Sequence, residues 1–334
     1  MRLENVLALT HGRLVSKPFV SSFTETVFES KKIKRGDLFI AFDEDKIEEA
    51  IINGAYGIIF DKPTQISDNE IAWIKVDSID KAFKKLLRFR LIQKNITVYS
   101  CDLITLKLAV QIFTETSFNV IQSNNKITQK QLWNLDENSK ILFSPELYDE
   151  NIFTNIQSIN NDLTDKIVIK DKTLFETSFI YDNIFYERVF ISPFFIQYLE
   201  NLLNFLNTIG VNFRLKTFTQ MEHFEAVFVN NLMEIKEFGT SDKVLIFETY
   251  INIVQSEIEF IKDFVNWATL IFILPADSMQ LANIKEYENI YFYKNKKEII
   301  RILKNNRFNF ALIAGSDKSI LNESSTILNQ PTLF

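Results

Sequence analysis

Glu29-Ser30-Lys31-Lys32-Ile33-Lys34-Arg35-Gly36-Asp37-Leu38-Phe39-Ile40-Ala41 sets a basic stretch against a glycine and then an apolar run. Residues 37–42 read as a strand, because a short apolar run bounded by a turn signal marks a buried strand. Residues 44–53 read as a helix that Gly54 closes, glycine taking the left-handed backbone of a helix end at little cost. Strands follow at 56–60 and 71–76. Asp77 and Ser78 can cap a helix to about Ile92, with Ile79, Ala82, Phe83, Leu86 and Leu87 on one apolar face. A strand at 96–99 feeds a helix from about Ile104 to Thr116. Strands alternating with amphipathic helices predict an α/β protein.

Residues 119–182 are less regular and rich in Asn, Asp, Ser and Thr, with short strands at 141–143 and 167–169. Pro193 can start a helix over 194–209, with Gly210 behind it. From Val244 the alternation is plain again, with strands at 244–247, 270–274, 290–293 and 310–313. Helices at 251–266, 277–284 and 296–304 separate them, and a last helix follows. There is no internal repeat and no low-complexity linker.

A chain of 334 residues, 46% apolar, can bury the cores of two or three domains. Its net charge of -6 argues against general nucleic-acid binding, which needs a basic face to neutralise phosphates. The apolar stretches 268–275 and 308–314 fall short of the ~20 residues that span a bilayer, so no membrane span is expected. The N-terminus has no readable secretion signal. One cysteine, Cys101, and two histidines, His11 and His223, leave no disulfide framework and make a structural zinc site improbable. The expectation is a cytoplasmic protein with no metal and no cofactor, although carboxylate-bound magnesium stays open in principle. Seven glycines limit backbone loops that could wrap phosphates, and the 32 phenylalanines read as core filling with AT-rich coding.

The run from Glu29 to Ala41 resembles the start of the Mur ligases, especially MurE and MurF, which open on Asp-Ser-Arg, a short basic stretch and Gly-Asp-Leu-Phe. Glu48 to Ile59 resembles the family's helix, Asn-Gly-Ala turn and strand, and Val76-Asp77-Ser78 precedes a similar helix. At the far end, Phe310-Ala311-Leu312-Ile313-Ala314-Gly315-Ser316-Asp317-Lys318-Ser319 resembles the MurF terminal segment. The resemblance implies a Mur-ligase-like α/β fold. It divides the chain into an N-terminal UDP-substrate-type domain (1–94), a reduced central domain (95–220) and a C-terminal Rossmann-like domain (221–334).

The family's ATP loop, Gly-x-x-Gly-Lys-Thr/Ser between a strand and a helix, needs glycines for backbone approach to phosphate and a lysine for its charge. In the matching stretch Ser100 and Leu103 stand where the glycines belong, Ile104 replaces the lysine, and only Thr105 fits. Asp102 adds a carboxylate that repels phosphate. The hinge motif Gly-Arg-x-Glu corresponds to Glu222-His223-Phe224-Glu225 with only its last residue kept, and no residues can be placed as the modified lysine and magnesium ligands.

The resemblance assigns nucleotide binding to Ser30 and Lys31, with Glu29 and Lys31 standing where the family has Asp and Arg. His223 is expected at an interface or hinge rather than as a general base, and Cys101 as a buried, inert thiol at a helix N-terminus. Gln330-Pro331-Thr332-Leu333-Phe334 is similar to the Gln-x-x-Leu-Phe peptide that docks in the sliding clamp of replication; the plainer reading packs Leu333 and Phe334 on the last domain. The function expected is a Mur-ligase-like pseudoenzyme that binds or scaffolds in peptidoglycan precursor synthesis or cell-shape control. Its partners would be a UDP-muramyl peptide precursor or peptidoglycan-synthesis proteins. The alternatives are an active MurF-like ligase with an unrecognised ATP site, or a module docking through its Gln330, Leu333 and Phe334 tail.

Overall fold

The computed structural model describes residues 1–114, 118–159, 166–215, 218–219, 221–280 and 288–321. It divides into two compact units, Met1–Cys101 with Ser117–Ser158 and Asp102–Thr116 with Ile159–Phe334. The chain opens with α1 (Leu3–Thr10), β1 (Arg13–Leu14), β2 (Thr26–Val27), β3 (Leu38–Ile40), α2 (Ile47–Ile52), β4 (Gly57–Phe60), β5 (Ala72–Lys75), α3 (Ile79–Gln93) and β6 (Thr97–Ser100). It enters the second unit for α4 (Leu103–Ile112), then returns to the first for β7 (Phe118–Ile121), α5 (Lys126–Trp133), β8 (Lys140–Phe143) and β9 (Gln157–Ser158).

The first unit holds two sheets. One runs β1-β5-β4-β3-β2, parallel except for β1, and the other is a parallel sheet in the order β7-β8-β6-β9. β3 and β4 are buried along their whole length, as strands covered on both faces must be, and they carry continuous apolar runs. Ser78 caps α3 by accepting from the Lys81 N–H, and the α3 stripe of Ile79, Ala82, Phe83, Leu86 and Leu87 lies in the core as expected. Gly54 takes φ +100° at the end of α2 and lies so close to the Arg35 backbone that a Cβ would sit 3.0 Å from its Cα.

The second unit continues with β10 (Val168–Lys172), β11 (Thr177–Tyr181), β12 (Ile184–Val189), α6 (Ile196–Thr208), β13 (Glu225–Val229), β14 (Lys243–Glu248), α7 (Val254–Phe264), β15 (Leu270–Pro275), β16 (Ile290–Tyr293), α8 (Lys296–Asn305) and β17 (Phe310–Ala314). β10, β11 and β12 form an antiparallel sheet. The other sheet runs β13-β14-β17-β15-β16, parallel except for β13. The chain passes from β14 to β15 across β17, so the carboxyl ends of these strands meet where the strand order reverses, the usual ligand crevice of an open α/β sheet.

Three expectations need correction. Among its described residues the stretch 119–182 carries, besides the expected strands at β8 and β10, also β7, α5, β9 and β11. The helix after β6 stops at Ile112, where Phe113 turns extended. The segment after β15 is a 3-10 turn over Ala276–Gln280, and the rest of the expected 277–284 helix lies outside the described residues. Among the described residues, no helix is long and apolar enough to cross a membrane.

Candidate functional site

β6 ends at Ser100, whose hydroxyl lies 3.2 Å from that of Ser158. Cys101 continues the strand by donating its N–H to the Phe143 carbonyl, and its side chain is half-buried rather than fully buried as expected. At the start of α4 the Asp102 carboxylate turns onto its own helix. Oδ1 accepts from the Thr105 N–H at 2.8 Å and Oδ2 from the Thr105 hydroxyl at 2.7 Å. An amide and a hydroxyl at a helix N-terminus are what a phosphate uses, so the chain's own anion fills the position. Ile104, expected to stand where the family has a lysine, is buried in the core, Thr105 is buried too, and Leu103 is half-buried. Asp102→Ala is therefore expected to cost about 1 kcal/mol in a denaturation curve, the usual worth of an N-cap.

Ser30 and Lys31 open a 3-10 turn, Ser30–Lys32. Ser30 is buried and donates its hydroxyl to Glu49 Oε2 at 2.6 Å, while its carbonyl accepts from Asn53 Nδ2 at 3.0 Å. The serine thus fastens the basic turn to α2, and Lys31 is the outward member. Glu29 pairs with Lys32 at 3.0 Å and Lys130 at 3.1 Å, and hydrogen bonds from those two lysines hold its carboxyl below the ordinary range. An open groove of about 870 Å³ lies elsewhere in this unit, lined by Phe19, Arg35, Ile52, Tyr56 and Glu70 among others, with Arg35 Nε donating to the Tyr56 hydroxyl at 3.0 Å. Ser30 and Lys31 do not line it.

In the second unit the crevice at the carboxyl ends of the strands is filled by side chains. Gly315, after β17, is packed so that a Cβ would lie 2.8 Å from Pro275 Cγ and 3.1 Å from the Tyr293 hydroxyl. Glu248, ending β14, is fully buried beside His223 and Glu257. His223, expected at an interface or hinge, is 3% exposed, with Nδ1 2.7 Å from Glu248 Oε1. Neither glutamate was singled out from sequence. A signal existed for Glu257, which interrupts the apolar spacing of Val254, Ile258 and Ile261 on α7. Among the described residues no group of three or more His, Cys, Asp or Glu is placed to hold a metal ion. The docking residues Gln330, Leu333 and Phe334 lie outside the described residues.

No family model matches the chain, and no curated protein matches it in sequence. Among solved structures, MurF ligase from Thermotoga maritima in complex with ADP superposes with a TM-score of 0.51 at 13% identity, covering 91% of this chain and 96% of that one. MurF from Acinetobacter baumannii gives 0.52 at 10% identity, covering 98% of each chain. Identities this low establish the fold alone: the chain has a Mur-ligase-like α/β fold.

Proposed function

We propose that this chain is a Mur-ligase-like pseudoenzyme, a binding or scaffold protein of peptidoglycan precursor synthesis or cell-shape control. The observation that carries the reading is the Asp102 carboxylate seated on the Thr105 amide and hydroxyl. A triphosphate entering there would have to break two hydrogen bonds to a charged group, each worth about 1.5–3 kcal/mol, and then lie against that charge. With Ile104 in the core, no cation from the loop meets the phosphate. The division into 1–94, 95–220 and 221–334 belongs to this proposal, the first part holding the precursor. Lys31 attracts its phosphates, and Ser30, bonded to Glu49, holds the turn that presents the lysine.

Thermal melts of the full chain test both halves. Millimolar ATP with magnesium is expected to leave Tm unchanged, while UDP-muramyl peptide raises it and Lys31→Ala reduces that rise. Stabilisation by ATP, or its turnover with a muramyl peptide and D-Ala-D-Ala, would replace this reading with an active ligase. A precursor without effect would leave protein partners as the reason for the first domain.

A further inference from the structure

We propose that Glu257 carries a proton in the folded protein and donates it to Glu248, and that this shared proton latches the loop bearing His223 and Phe224 onto β14 and α7. The inference concerns the interior of the second unit and stands whether or not the chain ligates.

The geometry distinguishes the two carboxyls. Glu248 receives two backbone N–H donors, the Tyr250 amide on Oε1 and the Phe224 amide at 3.1 Å on Oε2, and His223 Nδ1 lies 2.7 Å from Oε1. Both Glu248 oxygens are thus already engaged as acceptors. Glu257 is as deeply buried, and no donor reaches either of its oxygens. Its polar neighbour is Glu248, and two acceptor-only groups gain nothing from each other unless one holds a proton. Two adjacent buried carboxylates do not both ionise, so the proton resides on Glu257. Burial first, and the Glu248 charge second, hold its carboxyl well above the ordinary range.

The same contacts hold a strained backbone. Phe224 has φ +54°, a left-handed conformation that costs a bulky residue free energy and persists only when its surroundings enforce it. Its amide is bound by Glu248, and its ring packs among Phe175, Phe194, Phe195 and Phe260. His223 Nε2 is buried without a partner beside a cavity of about 20 Å³, which gives the ring room to shift when the latch opens.

The surrounding charges are few. From the same loop Glu222 points outward and pairs with Lys107 of α4 at 2.7 Å. From α6 the Tyr198 hydroxyl is kept neutral by burial, with Asp102 and Glu257 adding to the effect. Tyr250, after β14, sets its ring 6.2 Å from that of His223, and the Ser316 hydroxyl after β17 is neutral. Lys318 is held by Glu225 at the surface.

Glu257 is raised in the fold, so its contribution to stability is complete below the unfolded carboxyl value near 4.5 and is lost as pH rises through the folded value. One proton makes the folding constant fall at most tenfold per pH unit across that window. The test compares wild type with Glu257→Gln, a neutral isostere, by calorimetric unfolding near pH 6 in two buffers of different ionisation enthalpy. Wild type is expected to release one proton more than the variant on unfolding, and the Phe224 and Tyr250 amides, once corrected for the intrinsic base-catalysed rate, should lose protection as pH rises in wild type but not in the variant. Equal proton release in the two proteins would overturn the proposal. If Glu257→Gln does not fold, carbon-detected titration of the wild-type glutamates decides: a Glu257 carboxyl that titrates above the exposed glutamates supports the latch, and one that titrates with them sinks it.

Discussion

Glu248→Ala is expected to destabilise the second unit by about 3–5 kcal/mol, the cost of removing one member of a buried charged group and leaving the rest unpaired. The substitution strands the amides of Phe224 and Tyr250 and leaves His223 Nδ1 without its carboxylate partner, and on the proposal above it also takes from Glu257 the acceptor for its proton. In a unit of this size the loss should lower the unfolding midpoint by about 6–20 °C. Chemical denaturation followed by circular dichroism measures it, and a loss under 1 kcal/mol would show that Glu248 does not anchor the loop.

Trp73→Ala should cost the first unit about 3–5 kcal/mol. Trp73 is fully buried on β5, its ring edge-on to Phe60 at 5.8 Å, and its Nε1 donates to the Asp68 carbonyl at 2.6 Å. The variant loses apolar burial and also leaves that carbonyl unsatisfied. Trp73→Phe, which restores most of the volume but not the N–H, should recover more than half of the loss. If the two variants proved equally unstable, the hydrogen bond rather than packing would be the dominant contribution.

The start of the chain was legible at β3 and β4, which are buried on both faces and so appear as unbroken apolar runs, Leu38-Phe39-Ile40 and Gly57-Ile58-Ile59-Phe60. The middle was not, for local reasons. β11 and β12 join through Asp182 and Asn183, both left-handed at φ 49° and 60°, a two-residue hairpin turn that carries no glycine to announce it. Asn125 caps α5 by accepting from the Thr128 N–H, but in a segment crowded with asparagine that signal does not stand out. At the site, the apolar character of Ile104 could be read, and it is buried. The direction of a side chain could not: Asp102 was read as a repulsive charge and serves as the helix cap, and Ser30 was assigned to a ligand while its hydroxyl turns inward to Glu49.

The path of the chain through its two units has a consequence during synthesis. α4 buries Ile104, Leu106, Leu108, Ala109 and Ile112 in a unit whose remaining elements are encoded after residue 158, and its helical neighbour α6 ends at Thr208. At roughly 5–20 residues per second, a ribosome leaves that greasy helix without its partner for about 5–20 s. Over that interval a nascent chain is a client for chaperones, and a fragment that stops before α6 carries the same uncovered face for good.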